Sequence, residues 1–302
     1  MATQDRSFNS SRPLYLTAVD WRNPHHRKSV VASLVQGVYS QEHDRQGHQA
    51  LAPPWWEFFN FQLSDVLVDN NDRSIFGAIY EFKSPPPYGH HNPLHIPPRY
   101  VVAFRGPMIR WETILQDLTL DFKVIRNTLK QSTRFQQAME AVEYTVSIAG
   151  AANVCFAGHS LGSAMALLAG KNMAKMECLL ETYLFNPPFI RIMRSVMTAG
   201  VTIALSQRPQ RGDWFAALSQ WIPHLFVNPS DPISAEYVRY FEQREWMEAI
   251  GLGAIEPLHL LPSAYLIING SPVQGLRQAH GLEQWWKPNI QYWSQLYHPM
   301  GK

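Results

Sequence analysis

The sequence has little cysteine, little charge of either sign and no long apolar run. Its 302 residues include two cysteines, Cys155 and Cys178, too few for a disulfide scaffold. Charged residues make up 17%, and 26 basic against 24 acidic residues give a net charge of +2, which is no footprint of a nucleic-acid binder. The longest mildly apolar stretch, 195–205, is interrupted by Thr198, Gly200 and Thr202 and is too short to span a bilayer. The N-terminus reads MATQDRSFNSSRP; without an apolar h-region no secretory signal peptide is expected. The chain ends HPMGK, which is no CaaX, SKL or KDEL signal. Asn9 and Asn269 fit the glycosylation pattern, but without a signal peptide chance is the better reading. The expected location is therefore the cytosol, with loose attachment to a cytosolic membrane face as the variant. HExxH, P-loop and G-x-G-x-x-G motifs are also missing, which argues against zinc-protease, nucleotide and dinucleotide chemistry.

What is present is a large apolar share, 46% of the chain, enough for a sizeable core. At about 150 residues per domain the length allows two domains, yet single α/β domains of this size are common. Residues 1–12 read as a loose tail and 13–302 as one domain. Lys28–Tyr39 carries apolar residues at helical spacing. Phe76–Phe82 and Tyr100–Phe104 read as strands. The stretch between them, about 84–98, is too rich in proline for either. Its His90, His91 and His95 fit a solvated loop better than a metal site, having no carboxylate or cysteine nearby.

Thr133–Gln136 has the form of a capping box, and Phe135, Ala138, Met139, Val142 and Val146 then share one helical face. Asn153–Ala157, Thr182–Asn186, His224–Asn228 and Ala264–Asn269 are four further strand segments. Leu161–Met176 reads as a helix of small residues suited to close packing. Strands alternating with helices predict a mostly parallel sheet with helices on both faces.

The chemistry lies at Gly158-His159-Ser160-Leu161-Gly162. This is G-x-S-x-G between a strand and a helix, the context in which the motif makes a nucleophile elbow. The turn is so tight that side chains two before and two after the serine collide, hence Gly158 and Gly162. Ser160 is the candidate nucleophile, and the N–H of Leu161 a candidate oxyanion donor. His159 reads as a packing residue beside the elbow. Serine needs a base, and the base an orienting acid. In α/β-hydrolases these follow in the order Ser, Asp or Glu, His. Asp231 fits the acid, in the turn straight after HLFVN; Asp213, with no strand before it, is the weaker rival. His280 fits the base, after AYLIIN and where a helix is expected to begin, a position that disfavours imidazolium. His259 and His298 are its rivals.

The segment FAGHSLGSAMALLAGK resembles the class 3 lipase family of α/β-hydrolases. The wider pattern, from VVAFRG through TYLFNPP and PSDPIS to AHGLEQWW, is similar to the plant lipase-like branch often labelled GDSL esterase/lipase, although no GDSL serine motif occurs. The resemblance spans about 10–295. It implies an α/β-hydrolase fold with a small lid, and a triad on Ser160, Asp231 and His280. It also implies a lid after the oxyanion strand, about 108–120; the amphipathic stretch at about 189–222 is a second lid or lipid-contact candidate. The family's F-R-G is usually followed by Thr or Ser, whose hydroxyl serves the oxyanion hole. Here Pro107 follows, with neither hydroxyl nor N–H, so the Met108 N–H would have to replace it.

Three functions follow as expectations. The first is a serine carboxylic-ester hydrolase acting on a lipid or acyl ester, with no metal or cofactor, since the triad supplies nucleophile, base and electrostatics. The second is a catalytically weak or inactive lipase-like protein that binds a ligand or partner, which Pro107 favours. The third is an acyltransferase using the same acyl-enzyme. No nucleic-acid partner is expected; peripheral membrane contact is left open by the 189–222 stretch.

Overall fold

The computed structural model describes residues 13, 15–47, 54–83, 96–108, 133–189, 213–249 and 261–298. The tail at 1–12, the proline-rich loop up to 95, the first lid candidate beyond Met108 and most of the second lie outside the described residues, as do His90, His91, His95 and His259. All six strand segments expected from the sequence are strands, joined by two more. The single sheet runs in chain order: β1 (Phe61–Val68), β2 (Ile75–Phe82), β3 (Tyr100–Phe104), β4 (Val154–His159), β5 (Glu181–Phe185), β6 (His224–Val227), β7 (Ala264–Asn269) and β8 (Tyr292–Tyr297). Strands β3 to β7 are parallel, while β1–β2, β2–β3 and β7–β8 pair antiparallel.

This succession dictates where the helices go. Right-handed crossovers between sequential neighbours put the connecting helices on one face. Four of them pack there: α2 (Thr133–Ala149), α3 (Leu161–Lys175), α4 (Asp213–Gln220) and α5 (Glu236–Ala249). Phe135, Val142, Met165, Leu167, Leu218 and Phe241 meet Phe104, Phe156, Leu184, Leu225 and Leu266 of the sheet. The other face would be bare. The N-terminal helix α1 (Pro24–Gly47) and the 3-10 helix Leu282–Trp286 cover it. Val31, Leu34, Val35, Val38 and Trp285 pack there on Val101, Ala103, Ala157, Phe185, Phe226 and Ile267. Neighbouring strand residues thus serve opposite cores, the period-two rule of a pleated sheet. With both faces covered, the inner strands read as unbroken apolar runs.

The fold is that of an α/β-hydrolase, an eight-stranded, mostly parallel sheet covered by helices on both faces. Helix α1 extends beyond the expected Lys28–Tyr39 at both ends. Two of its buried charges are paired: Arg27 makes a two-pronged bond to Glu181, at 2.6 and 2.7 Å. Glu42 accepts from Arg45, Gln46 and the Ile75 N–H. Such pairing offsets the cost of taking charges out of water. In helix α2 the Thr133 hydroxyl accepts from Asn71 Nδ2 at 3.0 Å. Both cysteines are free. Among the described residues, no helix is long and apolar enough to cross a membrane.

Candidate active site

Strand β4 ends at His159 and α3 begins at Leu161, so the whole turn falls on Ser160. Its backbone sits at φ 54°, ψ −127°. For a non-glycine residue that region costs about 1–3 kcal/mol and persists only where the surroundings enforce it. The enforcement is visible. A Cβ on Gly158 would lie 2.4 Å from the Gly162 carbonyl oxygen, and one on Gly162 would lie 2.5 Å from that of Phe104. The Ser160 N–H donates to the Phe185 carbonyl at 3.0 Å, and Ser163 Oγ donates to the Ser160 carbonyl at 2.6 Å. The end of β3 closes on the same point: a Cβ on Gly106 would meet Ser160 Cβ at 2.8 Å. Arg105 holds the Gly106 carbonyl with its Nη1 at 2.7 Å.

Asp231 lies in the turn after β6 and is fully buried. Its Oδ2 accepts from His280 Nδ1 at 2.9 Å, Ser234 Oγ at 2.7 Å and Asn186 Nδ2 at 2.8 Å, and its Oδ1 accepts from the Ile233 N–H at 3.1 Å. Burial alone raises a carboxyl pKa; these donors, led by His280, outweigh it and hold Asp231 below the usual carboxylate range. His280 is buried too. Its place in the local structure differs from expectation. It is the last residue of the one-turn helix α6 (Leu276–His280), not the first of a helix. The chain leaves that helix at Gly281 and re-enters a 3-10 turn at Leu282, so the helix-start argument for a neutral imidazole does not apply. Side-chain partners, not a helix N-terminus, define its setting.

The two halves of the site meet at His159 and His280, whose rings are 4.7 Å apart. That contact sets His280 against the residue preceding Ser160. The rivals fall elsewhere. His298 bonds Ser263 Oγ at 2.7 Å, beside the start of β7 and so at the opposite end of the sheet. Asp213 opens α4.

A ring of amides around the acid and base was not anticipated. Asn186 follows β5, Asn228 follows β6, and Asn269 ends β7. Asn186 Nδ2 donates to Asp231 and to the Ala279 carbonyl at 3.1 Å, while its Oδ1 accepts from Trp285 Nε1 at 2.7 Å. Gln284 is buried; its Oε1 accepts from Asn228 at 2.7 Å and Asn269 at 2.8 Å. Its Nε2 donates to the carbonyls of Ala279 at 2.6 Å and Gly281 at 2.8 Å, on either side of His280. Three strand segments each ending in asparagine were the signal available in the sequence.

The oxyanion candidates are placed unevenly. Leu161 is the first residue of α3, so its N–H has no intrahelical acceptor. The Gly106 N–H is taken by Tyr39 Oη at 2.7 Å. Pro107 and Met108 follow it, both half-buried. Phe189, the first residue of the second lid candidate, packs on Tyr237 at 4.8 Å between ring centroids. Its N–H bonds the Ile233 carbonyl. Among the described residues, no three His, Cys, Asp or Glu side chains group as a metal site would require.

Comparison with known proteins adds two findings. The family described as Lipase (class 3) matches residues 101–200, which hold β3 but for its first residue, the elbow and the whole of β4 and β5. An Arabidopsis thaliana protein named GDSL esterase/lipase is 41% identical over 346 aligned positions, covering 98% of this chain and 99% of that one.

Proposed function

The chain belongs to the class 3 lipase family and is a lipase- or esterase-type hydrolase, and from that premise we propose that it cleaves carboxylic esters of lipid or acyl type through Ser160, His280 and Asp231. The supporting observation is the buried Asp231–His280 bond of 2.9 Å beside a strained serine elbow. With Nδ1–H engaged by Asp231, His280 presents Nε2 as its basic nitrogen. Ser160 Oγ attacks the ester carbonyl carbon while Nε2 takes the hydroxyl proton. Asp231 fixes the tautomer and stabilises the imidazolium. The tetrahedral oxyanion receives the Leu161 N–H. The carbonyl re-forms, the alcohol leaves with the proton from His280, and an acyl-Ser160 ester remains. Water, deprotonated by His280, attacks that ester and releases the acid.

Pro107 favours a second reading, a lipase-like protein of little or no turnover that binds a ligand or partner. One missing oxyanion donor costs about 100- to 1,000-fold in turnover. The Gly106 N–H is already committed to Tyr39, which leaves Met108 as the donor on that side. A fluorophosphonate probe separates the readings. Labelling of the wild type that is lost in Ser160→Ala and His280→Ala supports the hydrolase. No labelling of folded wild type overturns it, and recovery in Pro107→Thr would then assign the loss to the oxyanion hole.

A further inference from the structure

A chain of three hydrogen bonds beyond those within the proposed triad joins four segments of the fold. Tyr39 belongs to α1, on the second face of the sheet. Its hydroxyl lies 2.7 Å from the Gly106 nitrogen and 2.8 Å from His159 Nδ1. His159 Nε2 lies 2.7 Å from the His280 carbonyl oxygen. A carbonyl only accepts, so Nε2 carries the proton. Nδ1 then accepts, and the Tyr39 O–H donates to it. A lone pair on Tyr39 is left for the Gly106 N–H. With both residues neutral, this single arrangement of hydrogens satisfies every link. Burial, reinforced by the nearby His280, lowers the His159 pKa to about 3, and burial raises that of the Tyr39 phenol, so both are neutral near pH 7.

The consequence falls on the backbone around His280. Gln284 holds the carbonyls of Ala279 and Gly281, and His159 holds the one between them. We propose that Tyr39 and His159 are positioning residues, a strap that fixes the His280 backbone against Gly106 and the Ser160 elbow. The proposal rests on the hydrolase reading for its catalytic meaning, while the strap itself has a readout of its own. It gives the histidine of the elbow motif a task beyond packing. It also gives α1, remote in sequence, a hand in aligning the base.

The test uses full-length Tyr39→Phe, His159→Phe and His159→Gln. Displacing a reacting group slightly costs turnover far more than binding, so Tyr39→Phe should lower kcat per probe-titrated site about tenfold with little change in KM. His159→Phe keeps a ring but neither nitrogen and should fall further. His159→Gln, which keeps an amide donor towards the His280 carbonyl, should recover part of the loss. Nitrogen NMR of the histidine rings gives a second measurement that needs no turnover. The wild type should show His159 as the Nε2–H tautomer, and the His280 ring signals should shift in Tyr39→Phe. A wild type that neither labels nor hydrolyses would remove the hydrolase reading, and the NMR shifts alone would then decide the strap. The strap is overturned if His159 carries its proton on Nδ1, or if Tyr39→Phe leaves both kcat per site and the His280 signals unchanged. Should His159→Phe fail to fold, Tyr39→Phe, which removes a single oxygen, carries the test.

Discussion

The nucleophile side of the site and the acid–base side are held by opposite means. Ser160 is placed by missing atoms: Gly106, Gly158 and Gly162 let three backbones close on it where any Cβ would collide. Asp231 and His280 are placed by added polar atoms, supplied by Asn186, Ser234, Gln284 and His159. A steric device tolerates no added atom, and a hydrogen-bonded device tolerates no change of donor into acceptor. Substitutions chosen to violate one rule at a time therefore separate the two.

The largest effect is expected on the polar side, from Asp231→Asn. Oδ2 accepts from three donors and Oδ1 from the Ile233 N–H. In either orientation, an amide sets its own NH2 against a donor. His280 loses the acceptor that fixes its tautomer, and the expected loss in kcat is about 10,000-fold. Ester turnover at saturating substrate, measured against Ser160→Ala as the floor, checks this. A loss below about tenfold would remove Asp231 from the triad.

Next comes the steric side, with Gly162→Ala. Its Cβ would lie 2.5 Å from the Phe104 carbonyl oxygen and 2.7 Å from that of Arg105. These are backbone atoms at the end of β3 and just beyond it, which cannot swing aside as a side chain can. The expected cost is at least about 3 kcal/mol, the upper part of the range for overpacking. Denaturant unfolding measures it. An unchanged midpoint would mean that the elbow has slack, and the contrast between the two sides would lose its basis.

This division also marks what was legible in the sequence. The elbow is local: strand, G-x-S-x-G and helix lie within a few residues, so Ser160 and its glycines can be read in place. The inner strands are legible because two covered faces demand apolar runs. The edge strands β1 and β8 were missed for the converse reason. YWSQLY is largely exposed and FQLSDVLV has only two buried residues, so neither reads as an apolar run, and each is defined as a strand by pairing with its neighbour in chain order. Asp231 and His280 could be proposed from chain order, but not their surroundings. Asn186 meets Asp231 45 residues away and Trp285 99 residues away, and no periodicity encodes such pairings. His280 was set at a helix start because the sequence shows apolar residues after it. Gly281 instead breaks the chain into two short turns.

The smallest effect isolates the strain itself. Ser160 keeps φ 54°, ψ −127° whatever its side chain does, because the neighbouring glycines fix the turn. Ser160→Ala removes the nucleophile but retains a Cβ in that region. Ser160→Gly removes both, and glycine adopts positive φ without steric cost. The released strain, about 1–3 kcal/mol, is partly cancelled by the extra freedom of glycine in the unfolded chain, about 0.4–1 kcal/mol. The glycine variant should therefore be more stable than the alanine variant by about 1 kcal/mol, while both are inactive. Paired denaturation curves decide it. A glycine variant less stable than the alanine one would mean that Ser160 Cβ contributes more by packing against Gly106 than its backbone stores as strain. The nucleophile would then be held by contact as well as by absence.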